Sequence, residues 1–189
     1  LLSLKNIKLI DTGLLALVDA SFHGQLSMVK ELLKYEQFNP SYRNNYALRL
    51  ACKNGQINVL KELLKDNRVI INEKKVSLIE LSVKNNQVEI VQFLLNHNKF
   101  KNENITNFSL VHAARENMYT IVSLLLKDKR ISPENDYNEA ISEAYYYKSK
   151  KALEILWSDQ RVKKSLKQDD NEMYNIILKN QTQSKLACF

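Results

Sequence analysis

Small and large apolar residues return along the chain at intervals of 31 positions. The small residues Ala20, Ala51, Ser82, Ala113 and Ala144 form one column. Val29, Leu60, Val91, Val122 and Leu153 form a second, nine positions further on. Three later stand Leu32, Leu63, Leu94, Leu125 and Leu156, each followed by another large apolar residue: Leu33, Leu64, Leu95, Leu126 and Trp157. A period between about 20 and 50 residues is the signature of stacked repeats, in which a unit buries its apolar face only against its neighbours. The spacing sets repeats at 12–42, 43–73, 74–104, 105–135 and 136–166. The end of a partial repeat precedes them (1–11), and a degenerate cap and tail follows over 167–189.

Within one period the pattern predicts two short helices. Ala47, Leu48, Leu50, Ala51 and Cys52 recur at helical spacing, with Asn45 (Asn107 and Asn138 in the same column) placed to cap the first turn. Gly55 closes this helix, because the residue that ends a helix with positive φ is best tolerated as Gly, then Asn. That column reads Gly24, Gly55, Asn86, Asn117 and Lys148. The second helix is expected over 57–65, with Ile57, Val59, Leu60, Leu63 and Leu64 as its apolar stripe. The connection then repeats an Asp-x-Arg signature (Asp66-Asn67-Arg68, Asp128-Lys129-Arg130, Asp159-Gln160-Arg161). One apolar residue per loop, Phe38, Val69, Phe100, Ile131 or Val162, is expected to anchor it on the stack. The fold class is therefore all-α, a solenoid of helix-turn-helix repeats.

Composition narrows this further. With 44% hydrophobic and 26% charged residues the chain is in the globular range, and three glycines with two prolines favour helices over sheets. Two cysteines far apart, Cys52 and Cys188, make no disulfide framework. They point to a reducing intracellular compartment, the cytoplasm first, with Cys52 a buried thiol. The apolar run Leu14–Val18 ends at Asp19, too short for a membrane span or a signal-peptide core. His23, His97 and His112 have no metal-ligand spacing, and no phosphate-binding loop or nucleophile-elbow motif occurs, so an enzyme, a cofactor and a metal are not expected.

The columns resemble the ankyrin repeat. Leu48, Ala51, Gly55, Leu60, Leu63 and Leu64 carry the family's pattern, as do Leu17, Ala20, Gly24, Val29, Leu32 and Leu33. The likeness runs over about 12–162. The family's Thr-Pro-Leu-His opening is replaced by Tyr46-Ala47-Leu48-Arg49 and Phe108-Ser109-Leu110-Val111. The unit is also two residues shorter than the usual 33. Plain loops or short turns are thus expected in place of a β-hairpin between repeats. One period before Leu32, Leu33 and Phe38 stand Leu1, Leu2 and Ile7, so the chain is expected to enter the array inside a second helix, as a monomeric module of a larger polypeptide.

Family resemblance implies a non-enzymatic interaction module that binds a protein along the concave face of first helices and loop tips. The column Phe22, Lys53, Lys84, Arg115 and Tyr146 is expected on that face, with Tyr147 beside it. Lys53, Lys84 and Arg115 would form a ladder with rungs about 10 Å apart. Arg43, Lys74 and Lys75 near the loop tips would extend it toward an acidic peptide or domain. With a net charge of +7, nucleic acid or an anionic membrane surface is the alternative partner for the same face. Glu31, Glu62, Glu89 and Glu116 break up the charge and weigh against nucleic acid. Trp157 is assigned to core or cap packing.

Overall fold

The apolar columns become helices at almost the expected bounds. A computed structural model describes the backbone of residues 2–71, 77–101 and 105–186, with side chains over 12–71, 77–101, 105–135 and 138–180. The chain divides into two compact units, 1–103 and 104–189. The first holds α1 (Leu2–Phe22), α2 (Leu26–Leu33), α3 (Tyr42–Lys53), α4 (Ile57–Lys65), α5 (Leu78–Lys84) and α6 (Val88–Asn96), then a single 3-10 turn at Asn98–Phe100. The second holds α7 (Asn107–Arg115), α8 (Tyr119–Lys127), α9 (Asn135–Tyr146), α10 (Lys150–Ser158), α11 (Gln160–Asp169) and α12 (Asn171–Leu186). No strand occurs among the described residues.

Within each unit first helices pack on first helices and second on second: α1 on α3 on α5, α2 on α4, α7 on α9, α8 on α10. The small column sits at these contacts and is buried in all five repeats, because a larger side chain would hold the helices apart. Ser82 keeps its hydroxyl satisfied there by donating to the Leu78 carbonyl at 2.7 Å. Leu63, Leu94, Leu125 and Leu156 are wholly buried, as are the loop anchors Phe100 and Val162. Leu32 in the first repeat and Leu153 in the last are only half-buried. Cys52 is buried as expected, and Cys188 lies outside the described residues.

All five residues in the helix-ending column have positive φ: Gly24 (72°), Gly55 (73°), Asn86 (53°), Asn117 (53°) and Lys148 (57°). Sterics add a second reason for glycine. A Cβ on Gly24 or Gly55 would meet the side-chain amide of Gln56 or Gln87 in the next repeat. Those amides donate back to the carbonyls of Phe22 (3.3 Å) and Lys53 (3.0 Å). Ser149 occupies the same position after Asn117 and donates to the Arg115 carbonyl at 2.6 Å, a shorter side chain opposite a larger one.

The expected asparagine caps do not form. Asn45 and Asn138 have φ of 58° and 59°, inside the left-handed region that Asn tolerates better than most residues. Arg43 and Asn44 share that conformation, so the regular part of α3 starts at Tyr46. The three amides instead reach the far end of their own repeat: Asn45 to the Ile70 carbonyl (2.7 Å), Asn107 to the Asn135 carbonyl (3.3 Å) and Asn138 to the Ser165 hydroxyl (2.9 Å).

Two further departures lie at the ends. α1 runs unbroken from Leu2 to Phe22, through positions that are loop in later repeats. At the other end, residues 160–166, expected as loop, and 167–169, expected in the degenerate cap and tail, form α11. There Val162 and Leu166, one helical turn apart, are fully buried, and Asp159 accepts from the Arg161 N–H to cap the first turn. α12 adds Met173 and Ile177 to the same closure, and the Trp157 ring lies 5.2 Å from Tyr174.

Candidate functional site

The Asp-x-Arg signature removes several cations from the pool that could meet a partner. In Asp66/Arg68, Asp128/Arg130 and Asp159/Arg161 both carboxylate oxygens accept from the guanidinium of the residue two further on. Arg68 also donates to the carbonyls of Leu33 (2.8 Å), Tyr35 and Glu36 (both 3.2 Å) in the preceding repeat. Arg161 likewise reaches Leu126 (2.8 Å) and Ile131 (3.2 Å). In the repeat with His97 in place of the Asp, Lys99 donates to the Leu64 carbonyl at 2.9 Å. The carbonyls at the end of a helix lack intrahelical donors and carry its negative pole, so a cation there satisfies both. The guanidinium hydrogen bonds hold the Asp66 and Asp128 carboxyls below the usual range; at Asp159 burial opposes them and is outweighed. Burial, with help from Lys99, lowers the His97 pKa.

In the first unit, α1 and α3 enclose an open groove of about 590 Å³ on the first-helix side. The helical repeat puts Leu14 and Leu17 in the core and turns Leu15, Val18 and Phe22 the other way. Tyr46, Leu50 and Lys53 of α3 form the opposite wall, one period on from Leu15, Asp19 and Phe22. Leu15 is 60% exposed, Phe22 42% and Tyr46 37%, a run of large apolar side chains open to solvent. Asp19 and His23 face each other across 3.5 Å, and the Phe22 ring meets the His23 ring edge-on at 4.8 Å. Lys53 is exposed at the rim.

The other candidate residues divide between the units. Lys84 ends α5, exposed, on the helix that packs against α3. Arg43 is exposed at a loop tip with its guanidinium 5.2 Å from the centre of the Tyr42 ring. Lys74 and Lys75 lie outside the described residues. In the second unit Arg115 is half-buried. Its Nε donates to Glu143, and the guanidinium sits 5.1 Å over the Tyr147 ring. The Glu143 hydrogen bond is the main cause of its raised pKa. Tyr146 and Tyr147 are 68% and 60% exposed, and Tyr145 is half-buried, its ring edge-on to that of Tyr146 with centres 5.7 Å apart. Phe108, in the Leu15 and Tyr46 column, is also exposed and stacks on His112.

Charge arithmetic on the sequence treated Arg115 as equivalent to Lys53 and Lys84. Its carboxylate partner, 28 residues on, follows no column that marks ion pairs. The apolar groove was missed as well, although a signal for it existed: Leu15, Tyr46 and Phe108 recur at the repeat spacing on the side of the first helix away from Leu17, Leu48 and Leu110. Among the described residues no group of His, Cys, Asp and Glu side chains could hold a metal ion. No described helix is long and apolar enough to cross a membrane.

A family model for ankyrin repeats matches three overlapping stretches, 1–75, 17–107 and 50–141. None of the curated proteins matches the chain.

Proposed function

The chain belongs to the ankyrin-repeat family, whose repeats are generally protein–protein interaction modules and typically not enzymes, and we propose that it binds an acidic protein segment along its first-helix face. The groove between α1 and α3 carries this reading. Burying an apolar side chain of the partner against Leu15, Phe22 and Tyr46 supplies the affinity, at about 25 cal/mol per Å² covered. Aromatic anchors seated in such grooves dominate binding energies. Lys53 at the rim, with Lys84 on the next first helix, attracts carboxylates that flank the anchor. Arg43, Lys74 and Lys75 extend the positive field at the loop tips.

In the second unit the same side presents aromatic rather than basic chemistry. Arg115, held by Glu143, sets the ring of Tyr147, and Tyr146 stands beside it for contact with the partner. Selection of displayed peptides on the wild-type chain tests the reading. Peptides with one or two large apolar residues next to Asp or Glu are expected, and they should fail to bind Leu15→Asp and Lys53→Glu. Enrichment of basic peptides, or peptides that bind both variants as well as wild type, would refute it.

A further inference from the structure

Lysines crowd the stretch 148–167, ahead of Asp169, Asp170 and Glu172. Between residues 148 and 167 stand seven basic residues (Lys148, Lys150, Lys151, Arg161, Lys163, Lys164, Lys167) and two acidic ones (Glu154, Asp159), a surplus of five in a chain whose total is +7. Asp159 and Arg161 cancel each other in their clamp. Among the described residues none of the six lysines has an ion-pair partner, whereas Lys34 and Lys65 in the first unit pair with Glu31 and Glu62. Five of the six are exposed and Lys163 is half-buried.

Two of these lysines are also held against aromatic rings. Helical spacing puts Lys150, Glu154 and Trp157 along the side of α10 away from the buried Ala152 and Leu156. The Lys163 ammonium lies 5.4 Å over the Trp157 ring, which joins the lysines of α11 to that side. Lys151 lies 4.6 Å over the Tyr119 ring. An ammonium resting on an aromatic face keeps its charge while losing less side-chain freedom on meeting a partner. Like charges in excess of their neighbouring carboxylates repel one another, and an anionic partner relieves that repulsion.

The geometry points to a second docking surface, on α10 and α11, for an acidic protein segment lacking large apolar anchors. Three observations choose this occupant. No exposed large apolar side chain falls between Lys148 and Asn175, so the lysines of α10 and α11 are not interspersed with apolar anchors. The half-buried Trp157 ring is covered by Lys163 and meets the Tyr174 ring, so it is not presented for base stacking, and Tyr119, 42% exposed, has Lys151 over its ring. The free cations are all lysines, point charges on flexible stems that suit irregularly spaced carboxylates, while the guanidinium of Arg161 is committed to the fold.

The test uses the full chain and a labelled 20-residue poly-glutamate, followed by fluorescence anisotropy. Binding should weaken about tenfold in Lys163→Glu/Lys164→Glu and fall steeply with added salt. It should fall by no more than about twofold in Lys53→Glu/Lys84→Glu, because the first-helix face needs an apolar anchor that poly-glutamate lacks, and this difference separates the two surfaces. Lys163→Gln/Lys164→Gln, with circular dichroism to confirm folding, should give an intermediate loss. The proposal is overturned if poly-glutamate does not bind or ignores the α11 substitutions. Tighter capture of a 20-base-pair DNA duplex or of phosphatidylserine vesicles than of poly-glutamate would also overturn it.

Discussion

Replacing Arg68 by Ala isolates the contribution of one clamp to the stack. The side chain makes three hydrogen bonds to backbone carbonyls of the preceding repeat and two to Asp66. It is 29% exposed, and the Asp66 side chain 14%. Hydrogen bonds from a charged donor contribute about 1.5–3 kcal/mol when buried. Partial exposure here brings each nearer 0.5–1 kcal/mol, and two of the three carbonyl contacts are long, so the loss should total about 2–3 kcal/mol. For a chain of this size that lowers Tm by about 4–12 °C. Urea unfolding followed by far-UV circular dichroism measures it. The fluorescence of Trp157, the sole tryptophan, reports the second unit separately. Lys65→Ala, which removes a lysine 72% exposed and its pair with Glu62, is the control and should change stability by no more than about 0.5 kcal/mol. Arg68→Lys should recover part of the loss, since Lys99 already spans the same gap to Leu64. If Arg68→Ala costs no more than Lys65→Ala, the clamp does not hold successive repeats together.

Lys148→Gly should stabilise the chain by about 1 kcal/mol, because Lys148 occupies a left-handed conformation that glycine adopts without steric penalty; a higher Tm checks it. Leu94→Ala should cost about 2–5 kcal/mol in urea unfolding, from lost transfer energy and the cavity left in a fully buried site. The depressed carboxyls of Asp66, Asp128 and Asp159 contribute stability that is fully present above the unfolded Asp range, about pH 4–5. That contribution is lost as pH falls through their lower folded values. Substituting all three with Asn should therefore flatten the fall in Tm between pH 5 and pH 2, as read by thermal melts.

The stack was legible in the sequence because its constraints repeat. A buried Ala or Ser every 31 residues, and glycine or asparagine where φ must be positive, are each dictated by one local requirement that recurs five times. Asn45, Asn107 and Asn138 formed an equally clear column, yet their role was not local: each bonds to a residue at the far end of its own repeat, beyond the second helix. The Asp-x-Arg motif hid its purpose in the same way, since its targets lie about one period back, at carbonyls that carry no residue-type signature. α11 was missed because Asp159-Gln160-Arg161 copies the loop signature, while the helical pair Val162 and Leu166 offered the contrary signal. At the candidate site, column position located Lys53, Tyr146 and Tyr147. It did not disclose that Arg115 is matched by Glu143, nor that Leu15, Phe22 and Tyr46 line a groove.

Methyl NMR of the chain titrated with a selected acidic peptide tests the central claim most directly. The account predicts shifts at the methyls of Leu15, Val18 and Leu50, which line the groove, while Leu63 and Val91 in the core stay in place. Shifts confined to the outer helices α2, α4 and α6, with Leu15 and Leu50 unmoved, would contradict it.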